Sequence, residues 1–143
     1  PLTIQGVTQN TRNPAVAEGV IPLTVNIHML GDSFSVPIFA FAMLKSFGMA
    51  APDFAHYFVF AAYFVVAKFS AAGVPGGLTI VLFPVLESCL GFSGEMLSMI
   101  MALNLLFDAE LTSANILGNG AFALWINKLY EPNTDGANAP SPA

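Results

Sequence analysis

Asn104, Asp108, Thr112, Asn115 and Asn119 recur at spacings of 4, 4, 3 and 4 inside an otherwise apolar stretch. On an α-helix those spacings place all five on one face. Their neighbours, among them Met96, Ile100, Leu105, Leu106, Ile116 and Trp125, make residues 95–128 hydrophobic nearly all round, as membrane spans are. A carboxylate and three amides aligned in such a setting are costly to bury bare. They are expected to face a cavity, an ion or a ligand. A buried Asp108 can pair with an ammonium group.

Two further segments could do chemistry beside that stripe. Asn26-Ile27-His28-Met29-Leu30-Gly31-Asp32-Ser33 puts polar residues and a glycine in the middle of the apolar segment 19–44. His28 and Asp32 share a face at i, i+4. This pattern predicts a broken helix whose freed backbone groups line a cavity, against the plainer reading of a kinked span with a snorkelling acid. Gly73-Val74-Pro75-Gly76-Gly77 separates two short apolar arms, residues 54–71 and 78–90. At the helical rise these arms reach only about 27 and 20 Å, which suits a re-entrant hairpin better than two full spans. Lys68 beside the tip is expected to need an aqueous route.

The elements that position these groups follow in order. Residues 1–16 read as polar and turn-rich. A broken span covers about 17–47, a hairpin 54–90 with its tip at 72–77, and a final span 94–130 with a break expected near Gly118–Gly120. Residues 131–143 offer nothing to bury and are expected to be a disordered tail. The fold class expected is an all-α membrane protein. The composition agrees: 55% of the 143 residues are hydrophobic and only 9% charged, too few charges to coat a soluble globule of this size. The alternative is a core subunit of a larger soluble complex.

Charge narrows the partners. The net charge is −5, and Arg12, Lys45, Lys68 and Lys128 are the only basic residues. That balance argues against nucleic acid. Cys89 is the single cysteine, expected to be a small buried residue with no metal-ligand spacing around it. His56 is expected at an interface rather than as a ligand. Pro1 and the residues after it read like the middle of a protein, so a fragment is expected. Unwound carbonyls for a cation, half-helix N-termini for an anionic group and Asp108 for an ammonium make a site for a zwitterion plus a coupling ion, the plan of a secondary transporter.

On these residues the chain resembles the C-terminal core of the dicarboxylate/amino acid:cation symporter family, the glutamate-transporter homologues. The likeness runs over roughly residues 1–130. It is strongest at the tip Ala72-Gly73-Val74-Pro75-Gly76 and along Leu106-Phe107-Asp108 through Thr112, Asn115 and Gly118. It is looser at Pro22-Leu23, Met29 and Gly31. It implies a seventh span, a second re-entrant hairpin and an eighth span, in a multi-pass protein of the bacterial inner membrane that is a homotrimer at full length. It also implies a substrate pocket of Met29, Asp32, Val74, Gly76, Asp108, Leu111, Thr112 and Asn115. Cation or proton handling would fall to Thr24, Asn26, His28, Phe69, Ser70, Ala71, Asn115 and Asn119. No cofactor is implied beyond sodium or a proton as the coupling ion.

Departures from the family pattern carry physical consequences. Its Asn-Met-Asp-Gly-Thr motif falls on His28, Met29, Leu30, Gly31 and Asp32, where only Met29 and Gly31 agree. Leu111 stands where members with acidic substrates keep arginine, and Asn119 where the family keeps a sodium-ligating aspartate. A dicarboxylate would then lack its bidentate partner and meet Asp32 instead, so neutral or amine-bearing solutes are expected. Losing carboxylates at Leu30 and Asn119 weakens hard-cation sites, while carbonyls near Ser70–Ala72 survive and His28 with Asp32 offers a proton route. Two other readings stand beside transport. Gly31-Asp32 is a little similar to the Gly-x-Gly-Asp motif of intramembrane aspartyl proteases, with Asp108 as partner acid, although the first glycine is Met29 and the chain order is reversed. The other is a structural homologue that has lost transport.

Overall fold

The computed structural model describes residues 2–11, 13–71 and 77–130, with side chains of 77–79 and 130 left aside. Among these residues the chain is all-helical, with seven helices and no strand. They are α1 Leu2–Thr8, α2 Pro14–Thr24, α3 Leu30–Ser46, α4 Phe54–Ser70, α5 Gly77–Leu90, α6 Gly94–Leu106 and α7 Asp108–Tyr130.

Local chemistry explains most boundaries. Pro14 opens α2 at a position where its missing N–H costs nothing. The carboxylate of Asp53 accepts the His56 N–H at 2.8 Å and caps α4. Gly91, at φ 68°, lets the chain leave α5 in a left-handed residue, and the Phe92 N–H reaches back to Leu86 O at 3.3 Å. Ser93 then caps α6 by accepting from the Met96 N–H. The start of α3 differs, because Met29 in the cap position has no side-chain oxygen to offer.

The sequence and the structure part company at three places. Residues 2–8 form a helix rather than the turn-rich lead expected, because Val7 is buried against Ala17, Ile21 and Ala123. Tertiary contact of this kind holds a helix too short to persist alone. The expected break near Gly118–Gly120 falls instead at Phe107, where α6 and α7 meet at 65°. Gly118 is used for packing, and Asp108 and Glu110 sit in the first turn of α7, where the helix dipole favours acids. Cys89 is half-buried beside the Ser88 hydroxyl rather than sealed in the core. The tip residues 72–76, including Val74 and Gly76, and the tail 131–143 lie outside the described residues.

Two apolar cores meet along one seam. The larger joins α3, α4, α5 and α6 through Val36, Phe60, Phe64, Leu86, Met96 and Ile100. Within it α4 and α5 pack along each other, so their short connection makes them antiparallel. The smaller core holds α1 and α2 on α7. Where α3 crosses α7, a Cβ on Gly31 would run into the Leu111 carbonyl, and one on Gly118 would come within 2.8 Å of Leu30 Cβ. Glycines on both partners permit this approach. Large apolar side chains such as Leu23, Phe34, Phe54, Val66, Leu105 and Trp125 remain on the outside. Among the described residues no single helix is long and apolar enough to cross a membrane, whereas α6 and α7 pass that test together as a bent pair.

Two predictions follow from this packing. Gly31→Ala should destabilise the protein by about 1–3 kcal/mol, because the obstructing atom is backbone and cannot swing aside. Thermal unfolding in detergent measures it, and an unchanged midpoint contradicts the seam. The second concerns Asp53, whose carboxyl lies below its usual 3.8 because it accepts the His56 backbone N–H and then the His56 ring. A carboxyl lowered by folding stabilises above its unfolded value and loses that effect as pH falls through the lowered one. Asp53→Asn should therefore flatten the loss of α4 helicity between neutral pH and the acid side of 3.8, as read by circular dichroism.

Candidate functional site

α2 ends and α3 begins against one face of α7. A chain interrupted there leaves carbonyls at the end of α2 and N–H groups at the start of α3 without helical partners. Local bonds satisfy some of them: Thr24 O accepts the Ile27 and His28 N–H groups at 2.9 and 2.7 Å, and the Ser33 N–H reaches Met29 O at 3.1 Å.

α7 supplies further partners. Asn115 Oδ1 accepts the Gly31 N–H at 2.7 Å and, more weakly, the Asp32 N–H at 3.4 Å. Its Nδ2 donates to Asp32 Oδ2 at 2.7 Å. The amide thus caps α3 from another helix and holds its first carboxylate at the same time. One turn along α7, buried Asn119 has Oδ1 2.5 Å from the Thr24 hydroxyl, and that hydroxyl also lies 2.8 Å from Val20 O. Asn119 Nδ2 reaches Ile21 O, an α2 carbonyl, at 3.5 Å. Two asparagines four residues apart therefore hold the two ends of a broken helix, one end each. A side-chain cap is worth about 1 kcal/mol, and a buried group deprived of its partner costs about 1–3 kcal/mol.

Two more side chains enter the break. His28 stacks on Phe122 with ring centroids 4.7 Å apart, and its Nδ1 is buried without a hydrogen-bond partner. Lys68 comes from α4: its ammonium donates to Met29 O at 2.8 Å and to the Ser33 hydroxyl, with the Phe64 ring 5.8 Å away. The side chain is half-buried and ends on the break. Among the described residues it forms no ion pair.

The structure gathers Thr24, His28, Met29, Asp32, Asn115 and Asn119 at the break, and the expected Val74 and Gly76 lie outside the described residues. Asp108 and Thr112 are exposed on α7, and Asn26 is exposed at the break. Leu111 is half-buried, with its carbonyl beneath Gly31. Asn104 falls on α6 beyond the bend and donates to Ile100 O of its own helix at 3.0 Å. Phe69 is exposed, Ser70 turns its hydroxyl onto Val66 O at 3.0 Å, and Ala71 is buried. Asp32 and Asp108 sit in different surroundings, one held by Asn115 and the other open to the surface. His56 is exposed beside Asp53, at a cleft of about 160 Å³ with Leu44, Pro52 and Cys89. Among the described residues no three His, Cys, Asp or Glu side chains gather as metal ligands.

Sequence reasoning passed over Lys68, Ser33, Gly118 and Phe122 as parts of the site. A lysine inside an apolar arm was a usable signal, because such a charge needs oxygen partners wherever it ends. Asn115→Ala should leave the Gly31 N–H and the Asp32 carboxylate without their shared partner, at a cost of about 1–3 kcal/mol. Hydrogen exchange should speed up first over residues 29–34. Uniform exchange across α3 would show that the cap is incidental.

No curated protein and no solved structure matches the chain. The family model described as Sodium:dicarboxylate symporter family matches residues 1–129. A helix interrupted at a polar break, capped from a second apolar helix, lies within that matched length. The chain accordingly belongs to the sodium:dicarboxylate symporter family, whose members are membrane carriers that move a small solute with a cation.

Proposed function

We propose that this chain carries the solute- and ion-handling part of a symporter for a small amino-acid-like or carboxylate solute, driven by a sodium or proton gradient. The observation that carries the reading is the break between α2 and α3 held by Asn115 and Asn119, with Asp108 and Thr112 free on the same helix. Asp108 lies seven residues before Asn115, about 10 Å along the helix axis. A solute bound between the break and Asp108 would meet an acid for its amino group. The Met29 and Thr112 positions would complete the pocket, and the further positions the resemblance implies, Val74 and Gly76, lie outside the described residues.

The solute we infer has no acidic side chain. Leu111 offers nothing to a second carboxylate, and Asp32 would repel one. For the ion, two routes are supported by different residues. Backbone carbonyls at Phe69, Ser70 and Ala71, with Thr24 and Asn26, suit sodium. His28, whose Nδ1 has no partner, and Asp32 suit a proton. In this reading residues 17–47 and 94–130 are broken spans, 54–90 is a re-entrant hairpin, and residues 1–130 work inside a multi-pass, trimeric protein of a bacterial inner membrane. The grip of Asn115 on Asp32, and the open position of Asp108, favour transport over an aspartyl-protease pair.

Reconstituted full-length protein should accumulate neutral or amine-bearing amino acids when a sodium or a pH gradient is imposed alone, and one of the two gradients should suffice. Asp108→Ala should remove uptake of amine-bearing solutes by a factor of about 10 or more, the loss expected for an unpaired charge-assisted bond. Uptake that persists unchanged in that variant contradicts the role given to Asp108.

A further inference from the structure

Among the described residues the chain passes between its two cores at two places. One is the break at 25–29. The other is Phe107, the single residue between α6 and α7. From Glu95 to Leu117 there is neither Gly nor Pro, so the 65° bend at Phe107 lacks the usual sequence cause. One residue carries it. Phe107 sits at φ −99° and ψ 11°, against about −63° and −42° in a helix. Its N–H still reaches Leu103 O, and its carbonyl still accepts the Leu111 N–H, each at 3.0 Å. A continuous helix would add bonds from the Asp108, Ala109 and Glu110 N–H groups to Asn104, Leu105 and Leu106 O. Among the described residues these are not made. Turning Phe107 alone would straighten the pair and form them. Packing holds the bend instead: the Phe39 ring lies 5.6 Å from that of Phe107.

Both crossings lie on the α3–α7 seam, one near each end. Gly31 meets Leu111 and Asn115 where α3 begins, and Phe39, about 12 Å further along α3, meets Phe107. The α4–α5 hairpin is tied to α3. Lys68 donates to Met29 O at 2.8 Å and to the Ser33 hydroxyl, and the Tyr57 ring lies 5.8 Å from that of Phe41. We propose that α3–α6 swings as one body on α1, α2 and α7, about the α3–α7 seam, with residues 25–29 and Phe107 as its two hinges. The inference goes beyond the transport reading and rests on the fold alone. The Asn115 bonds to Gly31 and Asp32 lie on the axis, so the break stays capped during the swing. What changes is the distance of the hairpin from α1 and α2.

Double electron–electron resonance on the full-length protein, without solute or gradient, tests this. Native cysteines are first replaced, here by Cys89→Ser. Spin labels at Glu18→Cys and Ser98→Cys, both exposed positions, report across the hinges. Labels at Tyr63→Cys and Ser98→Cys report within the α3–α6 body. The first pair should give two distances and the second pair one. Phe39→Ala removes the ring that holds Phe107 and should raise the minor population of the first pair by about threefold. A single distance for the first pair overturns the proposal. So does a splitting in the second pair as large as in the first, because the motion would then belong to the hairpin alone, turning at 47–53 and 91–93. If Phe39→Ala does not fold, the comparison of the two label pairs decides by itself.

Discussion

One side-chain amide decides how this chain can be broken and still be ordered. Asn115 satisfies the Gly31 N–H and the Asp32 carboxylate together, from a helix more than 80 residues away in sequence. A break inside an apolar segment strands backbone groups where water is scarce, and each stranded group costs several kcal/mol in hydrocarbon. The solution here is to borrow partners from a second helix. Asn119 repeats the device one turn on for the end of α2. Because one turn of α7 fixes the distance between the two asparagines, it also fixes how far apart the ends of the break lie.

That constraint explains the seam around it. For the amide of Asn115 to reach Gly31 N, the two backbones must nearly touch, and neither partner can carry a Cβ at the contact. Gly31 answers for α3 and Gly118 for α7. The larger core then anchors α3 from its other side, while the smaller one fastens α2 and α1 to α7. The break is thus clamped between two packed bodies. Its interior faces receive His28, Lys68 and Asp32, the groups with charge or a proton to move.

Much of this was legible in the residues. The apolar arms and the polar interruption at 26–33 follow from periodicity and turn chemistry. That Asn115 and Asn119 share one face of α7 follows from spacing, whereas their hold on opposite ends of the break shows only in the fold. The departures have identifiable causes. Gly118 read as a helix breaker because a glycine in a helix is ambiguous between bending and close packing, and only the partner, Leu30, resolves it. The first helix was hidden because its support is the tertiary burial of Val7 rather than its own composition. The partners of Lys68, Met29 O and the Ser33 hydroxyl, were hidden because a sequence does not say which oxygens a long side chain will meet. Asp108 and Thr112 share the stripe with Asn115 but are exposed while Asn115 is half-buried against Gly31, so equal spacing led to unequal burial.

The central claim, that an amide on α7 holds the start of α3 through Asp32, is tested most directly by a double-mutant cycle. Unfolding of the full-length protein would be measured for Asn115→Ala, Asp32→Ala and the pair. A direct hydrogen bond to a carboxylate at 2.7 Å predicts a coupling of about 1 kcal/mol or more between the two substitutions. Effects that add to within about 0.5 kcal/mol would show that the two side chains act independently, and the spliced break would lose its physical basis.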